Sequence, residues 1–227
     1  MAIAPVLKTG ERKLLGVRVP HPPFFTLALI ALAGCQTLSK APYRAGTDSF
    51  TGNGLARFAH HSDEGDPWST RRDTLRGDGY GIQSVLIRKD QSVFNGFVEV
   101  DASMVDDGGL VLRFLDNTHY YLLAIRDDGA PAPRNVDNLQ IYRRNGTGAG
   151  GFSSLFRKNV TWPRGETHRI RFSVNGSTFT VAMDGVVLGG ITEPSLDSGT
   201  GFGLRHYGRS EYWKSRYRNF RWRSVEH

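Results

Sequence analysis

Apolar and polar residues alternate with a period of two along most of the chain beyond residue 80, and no stretch sustains a helical period. The pattern is clearest between Gly108 and Gly129, GGLVLRFLDNTHYYLLAIRDDG. Two alternating runs, residues 110–115 and 119–126, flank Asp116-Asn117-Thr118, whose short polar side chains fit a turn, so the stretch predicts a β-hairpin. In the first run Leu110, Leu112 and Phe114 fall on one face, and Val111 and Arg113 on the other. One face is therefore expected in the core and the other against something polar.

Similar runs surround the hairpin. Residues 82–88, 139–144, 199–207 and 217–223 each read as a strand; in 94–104, Val98 and Val100 oppose Phe97, Glu99 and Asp101. Residues 168–174 and 178–183 are joined by Asn175-Gly176, a type I′ turn signal, and Asp184-Gly185 turns into a short run at 186–188. Residues 68–76 read as one strand before a Gly-rich turn, residues 127–138 as a loop interrupted by Gly129, Pro131 and Pro133, and 146–151 as a tip. Residues 53–66 resist assignment. About a dozen short strands at this spacing predict an all-β, two-sheet antiparallel β-sandwich of jelly-roll type.

The first residues change the picture of where this sandwich works. A basic lead (Lys8, Arg12, Lys13, Arg18) runs into an apolar stretch, residues 24–33, too short to span a bilayer as a helix. It ends at Leu32-Ala33-Gly34-Cys35, which resembles the lipobox of bacterial lipoproteins. The resemblance implies cleavage after residue 34, lipidation of Cys35 and attachment to a membrane of the bacterial envelope, with Gln36 rather than Asp favouring the outer membrane. Cys35 is the one cysteine of the chain, which excludes a disulfide within it. The expected organisation is a signal peptide at 1–34, a lipidated Cys and tether at 35–46, and one β-sandwich domain at 47–227.

Charge is unevenly distributed. Residues 1–34 carry four cations against Glu11, so their removal takes the net charge from +7 to +4. Residues 205–227 hold seven Arg or Lys against Glu211 and Glu226, which leaves the preceding part of the mature chain near neutral. Within the basic end, Tyr207, Tyr212, Trp213, Tyr217 and Trp222 interleave with the cations. Nucleic-acid binders use that mixture, but an exported protein does not meet such a target; acidic glycans or lipid headgroups fit better. Phe220 and Trp222 are also expected as core residues, with the intervening arginines on a solvated face.

Several segments stand in the order of a known pattern: Trp68 with Asp73-Thr74-Leu75, then FNGFVEV at 94–100, GLVLRF at 109–114, YYL at 120–122, WPRGETHRI at 162–170, VAMDG at 181–185 and GFGLR at 201–205. Together they resemble the concanavalin A-like lectin/glucanase fold, in its laminin G-like and 3-keto-disaccharide hydrolase-like branch, over roughly residues 47–224. The resemblance implies a ligand groove on a concave sheet face. By alternation, that face is expected to carry Arg113, Tyr121, Gln140, Tyr142, Arg205 and Tyr207, with Glu99 and Asp101 as further polar residues. Aromatic rings stack on sugar faces, and Arg and amide groups direct hydrogen bonds to hydroxyls or carboxylates, so the expected partner is carbohydrate, acidic glycans included.

Catalytic chemistry is less well supplied. The family 16 glycoside hydrolases of this fold place their carboxylates in Glu-x-Asp-x-x-Glu; here Glu99 and Asp101 match the first two positions and Met104 occupies the third. The 3-keto-disaccharide hydrolases carry a Glu-x-Gln strand, of which Leu139-Gln140-Ile141-Tyr142 keeps the Gln. The leading expectation is carbohydrate binding without catalysis. A glycan-active hydrolase using Glu99 or Asp101 is the alternative, and an envelope scaffold contacting protein or lipid through Arg216 and Arg221 is the third. No cofactor is expected beyond calcium, common in this fold, for which Asp48 is the candidate ligand although Arg218 stands where an Asp is often found. His60 and His61, with Glu64 and Asp66, read as a solvated loop rather than a metal site, and His119, His168 and His206 as structural or surface residues.

Overall fold

The computed structural model describes residues 43–62, 64–103, 107–127, 136–163, 165–193, 199–208 and 214–225. The expected signal peptide, Cys35, Met104, Tyr212, Trp213 and the loop prolines lie outside them. Among the described residues fifteen strands form two antiparallel sheets, with short 3-10 turns at Gly54–Arg57 and Ala149–Gly151. The first sheet runs β13 (Val186–Thr192), β12 (Thr178–Met183), β11 (His168–Asn175), β6 (Asn95–Ser103), β15 (Ser215–Val225), β4 (Thr74–Gly77) and β3 (Trp68–Arg71), with β1 (Tyr43–Asp48) paired to β15. The second runs β10 (Phe152–Thr161), β9 (Val136–Asn145), β8 (His119–Asp127), β7 (Asp107–Asp116), β14 (Gly201–Tyr207), β5 (Gln83–Arg88) and β2 (Phe58–Ser62). The expected all-β sandwich is what the chain forms.

Alternation explains the core. Val98 and Val100 of β6, Ile170 and Phe172 of β11, and Phe220 and Trp222 of β15 face Leu110 and Leu112 of β7, Leu123 of β8 and Leu204 of β14 across the sandwich, all buried. Each such side chain contributes about 1.5–3 kcal/mol on burial, which is where the stability of the domain comes from. The turns follow the expected chemistry. Asp116 accepts the amide of Thr118 at 2.7 Å to close the β7–β8 hairpin. Gly176 takes φ +56° between β11 and β12.

Four expectations need correction. Residues 68–76 are a hairpin, turning where Arg72 adopts φ +57°, because a single polar pair suffices to reverse the chain. Residues 58–62, with His60 and His61, form the edge strand β2 rather than a loop. β10 went unpredicted: as the opposite edge it is exposed along most of its length and has no clear apolar face, with Arg157 and Lys158 guarding it. The domain also begins earlier than residue 47. β1 starts at Tyr43, and Gly46 is needed there because the Trp222 indole lies 2.8 Å from where a Cβ would stand.

The most consequential correction concerns β7. Arg113 sits at φ +56°, and the register with β8 shifts between Leu112 and Asp116. This irregularity reverses the alternation. Phe114 consequently joins Val111 on the outer face of the second sheet, and Arg113 turns inward and is fully buried. β15 carries a second break, at Asn219 with φ +50°, so Arg218 and Arg221 share one face although three residues apart.

Candidate functional site

The outer face of the second sheet carries a cleft. Cross-strand register places Arg205 beside Gly109, Ala124 beside Gln140, and Leu122 between Val111 and Tyr142, so small and apolar side chains make a floor. Long side chains rise around it: Gln83, Asp107, Arg126, Tyr142, Phe152, Arg205 and Tyr207 line a space of ≈ 440 Å³. That size is within the range of small-ligand sites.

One side of the cleft is aromatic. Tyr142 and Phe152 line it, edge-on to each other, and the fully buried Tyr120 supports Phe152 edge-on and stacks on Phe114 with ring centroids 5.8 Å apart. The other side is polar and ordered by charge. The Asp107 carboxylate lies between two arginines, accepting from Arg205 Nη1 at 3.1 Å and facing Arg126 Nε at 3.4 Å. Arg126 Nη1 donates to the Tyr142 hydroxyl at 2.8 Å; Tyr142 donates to Gln140, and Gln140 to Asn138. The chain of bonds fixes which lone pair and which proton each group presents. Two guanidiniums against one carboxylate leave this cluster positive. Arg205 Nε is buried with no hydrogen-bond partner.

Of the residues expected on the ligand face, the structure brings Gln140, Tyr142, Arg205 and Tyr207 together. Tyr121 is not among them: it shares the inward parity of Leu123 and stacks on Phe179 at 4.4 Å in the core. Arg113 is not either. It lies under Phe94, its guanidinium carbon 3.6 Å from the ring centroid, and reaches the Gly176 carbonyl at 3.4 Å; burial lowers its pKa. Asp107, Arg126 and Phe152 belong to the site and were missed. Placing Tyr121 inward by the parity of Leu123 and Ile125 would have found Arg126; nothing local marks Asp107 or Phe152.

Glu99 and Asp101 lie elsewhere, on the outer face of the first sheet. Glu99 is 5% exposed, accepting from Arg171 Nε at 2.8 Å and Arg221 Nη1 at 3.1 Å. Asp101 accepts from Asn219 Nδ2 at 2.7 Å and Arg169 Nε at 3.0 Å. Burial alone would raise the Asp101 carboxyl; these two bonds and the charges of Arg221 and Arg169 outweigh it and hold the group below its ordinary value. The face is rich in arginine: β15 presents Arg216, Arg218, Arg221 and Arg223, β11 adds Arg169 and Arg171, and the β3–β4 hairpin adds Arg71 and Arg76.

Asp48 does not offer itself to calcium. Its two oxygens are taken by Arg57 Nη1 at 2.9 Å and by Arg88 Nη1. His60 Nε2 bonds Ser84 Oγ at 2.7 Å, and no group of three or more metal-ligating side chains converges among the described residues.

The fold is that of concanavalin A-like jelly rolls, shared by lectins, glucanases and carbohydrate-binding modules. A carbohydrate-binding module, CBM66 from Bacillus subtilis, superposes with TM-score 0.56 at 15% identity, covering 71% of this chain and 94% of that one. A Bacillus subtilis protein of unknown function with a galectin-like fold gives 0.59 at 10% identity, covering 81% and 98%. The β-glucanase of Bacillus licheniformis gives 0.55 at 11%, covering 78% and 97%. These likenesses are to the fold. No family model matches the sequence, and no curated protein aligns with it.

Proposed function

We propose that this protein binds carbohydrate in the cleft on the second sheet, as a lectin-like module without catalysis of its own. One observation carries the reading: the rings of Tyr142, Phe152 and Tyr207 share one cleft with an ordered charged set, Arg205, Asp107 and Arg126, which Gln140 steadies through Tyr142. Rings cover the apolar face of a pyranose, and directed donors and acceptors select its hydroxyls. The excess of guanidinium over carboxylate makes an acidic glycan the preferred ligand, its carboxylate or sulfate taking up Arg205. Glu99 and Asp101, on the other sheet, cannot reach a sugar held here. We further propose that Cys35 is lipidated and holds the domain in the bacterial envelope.

Residues 36–227 should be screened on a glycan array containing neutral and acidic sugars, with hits repeated by calorimetry. Arg126→Gln removes a charged hydrogen bond worth about 1.5–3 kcal/mol, so affinity should fall about 10- to 100-fold. Tyr142→Ala should lose binding. Unchanged binding in both variants, or none by the parent protein to any glycan, refutes the cleft. Product released from a bound glycan refutes the non-catalytic part of the reading. Incorporation of labelled fatty acid, abolished by Cys35→Ser, tests the anchor.

A further inference from the structure

The outer face of the first sheet has two halves with different electrostatics. In one, Glu99 and Asp101 are ringed by Arg169, Arg171 and Arg221. In the other, cross-strand register aligns Ser69 of β3, Arg76 of β4, Arg216 of β15 and Ser103 of β6 in one row. Arg76 and Arg216 are direct partners, which sets their Cβ atoms about 4.5–5.5 Å apart, and like charges so placed repel. Neither makes an ion pair among the described residues, and the Nε of each is buried without a partner. Two cations between two hydroxyls, all able to donate, form an arrangement that an oxyanion completes.

The rest of the face says where such an anion comes from. At the far end of β15, beyond Glu99 and Asp101, Tyr43 is 54% exposed, with the Arg223 guanidinium 4.4 Å from its ring centroid. An amphipathic ring beside a cation suits a lipid–water interface. β1 belongs to this sheet, and the eight residue-to-residue steps from Cys35 to Tyr43 span at most about 28 Å when extended. A lipid on Cys35 would keep the face within reach of the headgroups, and the sandwich would then present the cleft on its opposite face.

We propose that the outer face of the first sheet docks on an anionic phospholipid surface, with headgroup phosphate held between Arg76 and Arg216. The orientation rests on lipidation of Cys35; the binding does not. Residues 36–227, which lack both Cys35 and the basic, apolar leader, should therefore be floated with phosphatidylcholine vesicles, with and without phosphatidylglycerol. Binding is expected only with the anionic lipid and should weaken as salt rises. Each arginine near such a surface contributes about fivefold, so Arg76→Gln with Arg216→Gln should lower partitioning about 25-fold, and the exposed Arg71→Gln about fivefold. Arg126→Gln, in the cleft, should leave it unchanged, which separates this proposal from the glycan reading. Removing the facing cations should not lower the melting temperature, because their repulsion goes with them.

No flotation with anionic vesicles at low salt overturns the proposal, as does undiminished binding by the folded double variant. Saturation by inorganic phosphate or a soluble acidic oligosaccharide, without vesicle binding, makes this a site for a free anion and overturns the membrane assignment.

Discussion

Glu99→Gln tests whether the carboxylate pair of β6 is structural or chemical, because it removes the charge and keeps the shape. Glu99 is 5% exposed, and its oxygens meet Arg171 Nη2 at 2.7 Å, Arg221 Nη1 at 3.1 Å and Arg169 Nε at 3.7 Å. Stripping one partner from a fully buried ion pair costs about 3–5 kcal/mol. The three arginine side chains keep 43%, 30% and 49% of their exposure, so water screens the charges left behind. Roughly half the buried cost, about 2 kcal/mol, is expected to remain. For a domain of this size that lowers Tm by about 4–8 °C. Calorimetric melts at neutral pH should show it, and high salt should narrow the gap by screening the freed guanidiniums. An unchanged Tm would refute the structural role, and the same variant abolishing a measured turnover while melting normally would restore the hydrolase reading. The state of Asp101 argues in the same direction as the structural role. A general acid needs a carboxyl raised toward neutrality, and Asp101 is held low.

Arg113→Met should raise stability by about 1–2 kcal/mol, since a buried guanidinium with Nε and Nη1 unpartnered is replaced by an apolar side chain of similar length. Glycan binding should not change, and a lower melting temperature would show that the stack under Phe94 outweighs the desolvation. His206 is fully buried, bonded to Ser215 Oγ at 3.0 Å, and burial holds its pKa below 6.5. The unfolded chain then takes up a proton that the folded one refuses, so stability is full above pH 6.5 and declines as pH falls, by at most about 1.4 kcal/mol per unit for this proton. Urea midpoints at pH 7 and 5 should differ more in the parent than in His206→Gln, and equal differences would exclude His206 as the source. Gly203→Ala places a Cβ 1.8 Å from the Leu86 carbonyl oxygen, so β14 and β5 must separate. A soluble variant melting within a few degrees of the parent would contradict the pairing of β14 with β5.

How much of this was legible follows from where alternation holds. Strands with one clean apolar face, such as β6, β11 and β12, could be read residue by residue, and Val98, Ile170 and Phe179 lie where the period of two puts them. β7 could not be read through, because the φ +56° of Arg113 is a tertiary fact: nothing beside Leu112 announces that the next residue will adopt it. One irregularity converts a candidate ligand arginine into a buried one and carries Phe114 to the other face. β8 is buried on both faces, so Tyr120 and Tyr121 look alike in sequence and parity must come from the partner strands. β10 is polar along an edge and gave no period to find.

The site residues divide by the same logic. Gln140, Tyr142, Arg205 and Tyr207 were found because each sits at an outward position in a regular strand, whereas Asp107 and Phe152 stand at strand starts, where spacing carries no information. Asp107 is nevertheless the residue that orders the cleft. Without its carboxylate, Arg126 and Arg205 would face each other with nothing between them, and the Arg126–Tyr142–Gln140 chain would lose its anchor. The opposite face offers the contrast. Arg76 and Arg216 are also paired across a sheet, but no acid is supplied between them among the described residues. Where the protein provides the counter-charge, a preorganised polar wall results; where it does not, the charge is left for a partner to neutralise.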